Sequence, residues 1–212
     1  IVGQNGSGKS TLVRCLVGIL RPQRGVIRFR GEDISAWRVG RLSARIGLVL
    51  QNPDYQLFSV SAEEEVLFGL RNLGVPPDEA RRRAGEALAA VGLAEARDTF
   101  PFRLSFGDRR KLAVAAVLAM GCEVLILDEP TTAQDFRGRY LLADLAERLR
   151  REGKTILMIT HDMDLIARYA QRLVVMKDGR ILLDGPAPEV FAQEDVLAQA
   201  KLKPPVAFQV SV

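Results

Sequence analysis

An α/β fold, a mostly parallel sheet flanked by helices with a small helical lobe, is the architecture this sequence predicts, and three observations predict it. Residues 3–11 read GQNGSGKST, placed between a strand end at Ile1-Val2 and a helical run over 11–20. Val124, Leu125, Ile126 and Leu127 form an unbroken apolar run, the pattern of a strand buried on both faces of a parallel sheet, and it delivers Asp128 and Glu129 to the strand's carboxyl end. The chain has 212 residues and 48% hydrophobic content, enough to bury a substantial core as one domain over 1–212.

The first segment fits G-x-x-x-x-G-K-[ST]. In that pattern the backbone of Gly3, Gln4, Asn5, Gly6, Ser7 and Gly8 turns N–H groups toward phosphates, and the helix opening at Thr11 adds the positive end of its dipole. Lys9 then neutralises the β- and γ-phosphates, and Ser10 holds Mg²⁺, so the predicted ligands are ATP and Mg²⁺. A chance match in a chain this long has a frequency of roughly 1%. A plain flexible glycine turn is the competing reading, and the flanking strand and helix disfavour it. Open α/β sheets bind ligands beyond the carboxyl ends of their strands, which is where Asp128 is placed to organise Mg²⁺ and Glu129 to polarise an attacking water.

The remaining elements follow in order. Residues 21–25 form a turn, 26–30 a short alternating strand, 31–33 a second turn, and 46–50 a buried strand that ends at Gln51. Helical periodicity runs over 61–97, with Pro76-Pro77 starting one helix, and resumes over 108–120 after Ser105 and Gly107. The predicted helical lobe is therefore 61–120. After the 124–127 strand come a helix over 140–151 and a strand over 155–160 that presents His161, the sole histidine. Residues 172–176 and 180–184, joined by Lys177-Asp178-Gly179, read as a hairpin with no assigned chemistry, and helical segments follow. Residues 202–212 read as a proline-marked linker. The chain begins at Ile1, inside an expected strand, which predicts a fragment of a longer protein.

Composition narrows the function classes. The longest apolar stretch, near 112–120, falls far short of the ~20 residues a membrane-spanning helix needs. A net charge of +4 is spread among interspersed acids and arginines, unlike a nucleic-acid footprint. Two basic triplets stand out: Arg81-Arg82-Arg83, which could face anionic lipid or a partner, and Arg109-Arg110-Lys111, expected on the exposed face of its helix. Cys15 and Cys122 lack metal or redox spacing and read as reduced, buried thiols.

Taken together, the segments resemble the ATP-binding subunits of ABC transporters over nearly the whole chain. LSFGD (104–108) looks like that family's signature, usually LSGGQ; Gln51 sits at its Q-loop glutamine, TTAQD (131–135) at its D-loop, and His161 at its switch histidine. QNPDYQLF (51–58), the acids Glu63-Glu64-Glu65 and the THDMDLIARYAQRLVVMKDGRILLDGP stretch resemble the energy-coupling-factor branch, which imports vitamins and transition-metal ions. The resemblance implies a P-loop NTPase fold of ABC ATPase type. It implies Gln51 as a Mg²⁺ ligand, Glu129, His161 and Gln51 as catalytic groups, and Ser105 and Gly107 as contacts to a nucleotide held by the opposite subunit. It further implies a second ATP-binding subunit or domain, a transmembrane coupling protein touched near Tyr55, Leu57 and Phe58, no nucleic acid, and a peripheral place on the cytoplasmic face of the membrane. Phe106 and Asp108 depart from the signature; the first restricts backbone freedom and the second sets a negative charge near a phosphate site. The competing reading is a soluble ABC-type ATPase acting on nucleic acid or ribosomes. The segment over 51–104 is compact and lacks sustained heptads, which disfavours it.

Overall fold

The structure, a computed structural model, describes residues 1–131, 136–203 and 205. Thr132, Ala133, Gln134 and Asp135 of the TTAQD segment, and most of the 202–212 stretch, lie outside the described residues.

The apolar run forms β5 (Val124–Asp128), paired in parallel with β4 (Ile46–Val49) on one side and β6 (Thr155–Ile159) on the other. β1 (Val2–Gly3) pairs in parallel with β7 (Arg172–Lys177), and β8 (Arg180–Pro186) adds an antiparallel edge. Ile1 joins the two halves: its N donates to Met158 O (2.7 Å) and Thr160 N donates to its O (3.4 Å). The sheet therefore runs β4-β5-β6-β1-β7-β8, parallel except at its last strand. Strand side chains alternate faces, and β5 shows it. Leu125 and Leu127 join one apolar cluster with α3 (Ala62–Asn72), α4 (Pro77–Ala90), α5 (Phe106–Ala119) and α6 (Phe136–Arg151). Ile126 joins another with α1 (Lys9–Leu16) and α2 (Val39–Ser43). A third cluster lies under α7 (Met163–Tyr169), α8 (Ala187–Phe191) and α9 (Glu194–Gln199). Helices α3, α4 and α5 pack on one another, yet their buried leucines share the first cluster with the sheet, so the lobe has no core of its own.

Several boundaries differ from expectation. α1 stops at Leu16 rather than residue 20, because Ile19 and Leu20 both turn their N–H back to Arg14 O after Gly18 enters the left-handed region. The strand expected over 26–30 reduces to β2 (Arg28–Phe29), paired across Arg30-Gly31 with β3 (Glu32–Asp33), so Glu32 and Asp33 are strand rather than turn. α5 starts at Phe106, two residues early, since Ser105 supplies its cap. Phe106 thus has helical backbone, and the glycine it replaces would have had no conformational advantage there. Cys122 is buried, with burial pushing its thiol pKa up, while Cys15 is only half-buried.

Candidate active site

Strand β1 delivers the phosphate loop, and the loop is fixed mainly by backbone. Gly3 has φ +151°, and a Cβ there would sit 2.2 Å from Met176 O, so only glycine lets the loop leave β1 beside β7. Ser7 is buried, and its O accepts from Gly179 N (3.1 Å) at the tip of the β7–β8 hairpin. That hairpin, assigned no chemistry from sequence, clamps the phosphate loop. Gly8 caps α1 at φ +97° and, as glycine, gives the first turn's N–H groups no side-chain acceptor. Asn5, Gly6, Ser10 and Thr11 are exposed around this opening. Lys9 Nζ donates to Gly3 O (2.7 Å) and Gln4 O (2.9 Å), folded onto the loop that it is expected to leave for a phosphate. Burial lowers its pKa, and the charges of Glu129 and Asp128 oppose that shift.

The acids expected at the end of β5 arrive beside this loop. Ser10 Oγ donates to Asp128 Oδ2 at 3.4 Å, and burial holds the Asp128 pKa above its ordinary value despite that bond. A hydroxyl and a desolvated carboxylate converging here form an oxygen donor set suited to a hard divalent ion such as Mg²⁺. Glu129 takes up a left-handed backbone at φ +49°, uncommon for a non-glycine residue, while its N donates to Ile159 O (2.9 Å). His161, exposed at the end of β6, reaches back so that its Nδ1 lies 2.8 Å from Glu129 Oε2. Lys9, Ser10, Asp128, Glu129 and His161 are thus gathered at one sheet edge.

Gln51 follows β4 with an exposed side chain. Gln56 finishes that strand, its Oε1 accepting from Leu50 N (3.0 Å), and buried Glu65 takes the N–H groups of Phe58 (2.9 Å) and Ser59 (2.8 Å). Of the three expected docking residues, Leu57 is buried in the core and corrected to packing, whereas Tyr55 (82% exposed) and Phe58 (61%) remain on the surface.

Ser105 and Gly107 belong to a different locus, the start of α5. Ser105 Oγ accepts from Asp108 N (3.1 Å) and donates to Asp108 Oδ2 (2.7 Å), while Lys111 Nζ pairs with Asp108 Oδ1 (2.8 Å). The lysine hydrogen bond, first of all, lowers the Asp108 pKa. Of the basic triplet beside it, Arg110 is not on the exposed face: it is 1% exposed, with its guanidinium on the carbonyls of Gln51 (2.6 Å) and Pro130 (3.2 Å). Arg81, Arg82 and Arg83 pair with Asp78, Glu79 and Glu86 of their own helix, so they offer lipid little unbalanced charge.

A family profile described as ABC transporter matches residues 1–132. Relatives described as putative ABC transporter ATP-binding proteins, from two Methanosarcina species and Caldanaerobacter subterraneus, are 40% to 47% identical over 97% of this chain, which spans about a third of their length (34% to 36%). The energy-coupling factor transporter ATP-binding protein EcfA of Methanocaldococcus jannaschii is 41% identical over 97% of this chain and 74% of its own. Among solved structures, cbiO1 of Clostridium perfringens, described as part of the ABC transporter complex cbiONQ, superposes with a TM-score of 0.82 at 40% identity, over 99% of this chain and 84% of that one. The ATP-binding cassette MJ0796, a dimer in a post-hydrolysis state bound to ADP and Pi, superposes at 0.79 with 27% identity, over 88% and 83%.

Proposed function

This chain belongs to the ABC transporter ATP-binding family, and from that premise we propose that it binds and hydrolyses ATP to drive an energy-coupling-factor importer of a vitamin or a transition-metal ion. The observation that carries the proposal is the sheet edge where Lys9, Ser10, Asp128, Glu129 and His161 converge. EcfA and cbiO1, similar over nearly the full chain, support the importer branch.

In this reading Lys9 exchanges its loop carbonyls for the β- and γ-phosphates, which the uncapped start of α1 and the N–H groups of residues 3–8 surround. Ser10, Asp128 and the side-chain oxygen of Gln51 hold Mg²⁺. When bound, that ion supplies charge stabilisation at the phosphates. Glu129 directs a water toward the γ-phosphate, and the 2.8 Å contact with His161 fixes its carboxylate. Phosphoryl transfer depends mainly on such positioning and electrostatics. Ser105 and Gly107 serve a nucleotide on a second ATP-binding subunit or domain, in keeping with the dimeric cassette of similar fold.

No helix of the described residues is long and apolar enough to cross a membrane. In the proposed reading a transmembrane partner holds the chain at the cytoplasmic face. The exposed Tyr55, Phe58, Val60 and Phe68, with the Phe58 and Phe68 rings edge to face at 4.7 Å, form an apolar surface for it. Steady-state Mg²⁺-dependent ATP turnover of the full-length protein, alone and with co-purified membrane proteins, tests the proposal. Turnover raised by a captured membrane partner supports it; turnover stimulated instead by nucleic acid in a salt-dependent manner overturns it.

A further inference from the structure

Arg110 occupies the second turn of α5, where the sequence reading expected an exposed cation, yet it is 1% exposed. A guanidinium removed from water needs acceptors from the protein, and an apolar side chain would fill the same space at lower desolvation cost. What a rigid fork of donors adds is direction. Here it takes main-chain carbonyls from two different segments, Gln51 O at 2.6 Å and Pro130 O at 3.2 Å.

Those carbonyls lie just beyond the paired ends of β4 and β5. The ladder between the strands closes at Val49↔Leu127, and past it the chains continue to Gln51 and to Glu129-Pro130. Arg110 carries the connection on after the strand pairing has stopped. Burial lowers its pKa, and the negative charge of Glu129 opposes that shift. Its neighbour Arg109 adds a second tie: Nε lies 2.8 Å from Asp54 Oδ1 in the turn after Gln51, and Nη1 donates to Leu104 O (2.8 Å). The Arg109–Asp54 contact is an ion pair without hydrogen-bond alignment, so the directional tie is that of Arg110.

We propose that Arg110 is a positioning residue of the ATPase reaction, a strut that holds the start of α5, the Gln51 segment and the Glu129-Pro130 strand end as one mechanical unit. Signature residues Ser105 and Gly107 sit at one end of this unit and the water-directing carboxylate at the other. Engagement of α5 by a nucleotide on another subunit is thereby transmitted to Gln51 and Glu129 through two carbonyls. The inference rests on the ATPase reading above and adds to it a residue that touches neither nucleotide nor metal.

The test compares Arg110→Met, Arg110→Lys, Gln51→Ala and the double variant Gln51→Ala/Arg110→Met in the full-length protein. It measures kcat, thermal midpoint, and ATP Kd with and without Mg²⁺ in a Glu129→Gln background. Expected for Arg110→Met is a kcat loss of about tenfold or more, with metal-free ATP Kd within about threefold of the parent, since the phosphate loop is untouched. The gain in ATP affinity on adding Mg²⁺ should shrink toward that of Gln51→Ala, and the double variant should be no worse than the poorer single one, as for two residues acting in one chain of contacts. Arg110→Lys, which keeps the charge but loses the fork, should recover part of kcat and guards against a Met variant that folds poorly. An unchanged kcat in Arg110→Met, a metal-free ATP affinity that falls in parallel with kcat, or losses that multiply in the double variant would each overturn the strut. If Gln51→Ala itself leaves the Mg²⁺ gain unchanged, the metal role of Gln51 fails separately, and Arg110 stands or falls on the split between kcat and metal-free Kd.

Discussion

The two helix starts proposed to meet phosphates, those of α1 and α5, are built in opposite ways. The start of α1 follows a loop locked by backbone, has no side-chain cap, no acid in its first turn, and Lys9 resting on replaceable carbonyls. The start of α5 is capped by Ser105, carries Asp108 in its first turn and closes on itself through Lys111. An uncapped N-terminus is ready for an anion; a capped one must first give up its own bonds. The difference supports the proposal that α1 makes the primary nucleotide contact and α5 a secondary one, engaged when something outside competes with Asp108 for Ser105.

The largest effect should come from removing the charge at the first site. Lys9→Ala is expected to weaken ATP binding by about 100-fold, measured by nucleotide titration, because it removes a partly desolvated cation facing the phosphates. A smaller loss follows from the loop's backbone: in Gly3→Ala the new methyl meets Met176 O, and ATP affinity should fall about tenfold along with the melting temperature. At α5 the expected change has the other sign. Asp108→Asn removes the charge that occupies Ser105 and repels phosphate, and turnover at saturating ATP should rise about threefold. If Asp108→Asn instead abolishes turnover, the self-closed start of α5 is part of the working site and the contrast is wrong.

The smallest effect, one on stability, separates the two acids by pH. Burial raises the Asp128 pKa, so the fold binds that proton more tightly than the unfolded chain; its ionised form costs stability at neutral pH, and the cost fades as pH falls through the raised value. Asp108 is the reverse: with its pKa lowered, it stabilises above the ordinary aspartate value and loses that contribution as pH falls through the lower folded one. Asp128→Asn should therefore raise the melting temperature at pH 7 by about 2 °C while removing Mg²⁺-dependent turnover, whereas Asp108→Asn should lower it slightly. Thermal melts of the two variants at pH 7 and pH 4 check both signs.

Much of this was legible in the sequence for a physical reason: the phosphate loop and the β5 acids are short, contiguous segments whose chemistry depends on local backbone. Glycine spacing, an apolar run and a terminal acid pair suffice to place Lys9, Ser10, Asp128 and Glu129. What escaped depends on contacts between segments distant in sequence. Nothing local distinguishes Arg110 from Arg109 or Lys111; only the approach of the Gln51 and Pro130 carbonyls makes it buried. The Lys177-Asp178-Gly179 turn was visible as a turn, but its grip on Ser7 O spans the whole domain. Leu57 looked like its neighbours Tyr55 and Phe58, and the 3₁₀ turn over Pro53–Tyr55 rotates it inward while they stay outside.

The most direct measurement is Mg²⁺-dependent ATP hydrolysis by the Glu129→Gln variant beside its ATP affinity. An amide keeps the size of the side chain but cannot direct the water as a carboxylate does. The account predicts turnover reduced by about 100-fold or more with ATP affinity within about threefold of the parent. Unchanged turnover would contradict it, because hydrolysis would then not pass through the carboxylate that β5 and His161 hold in place.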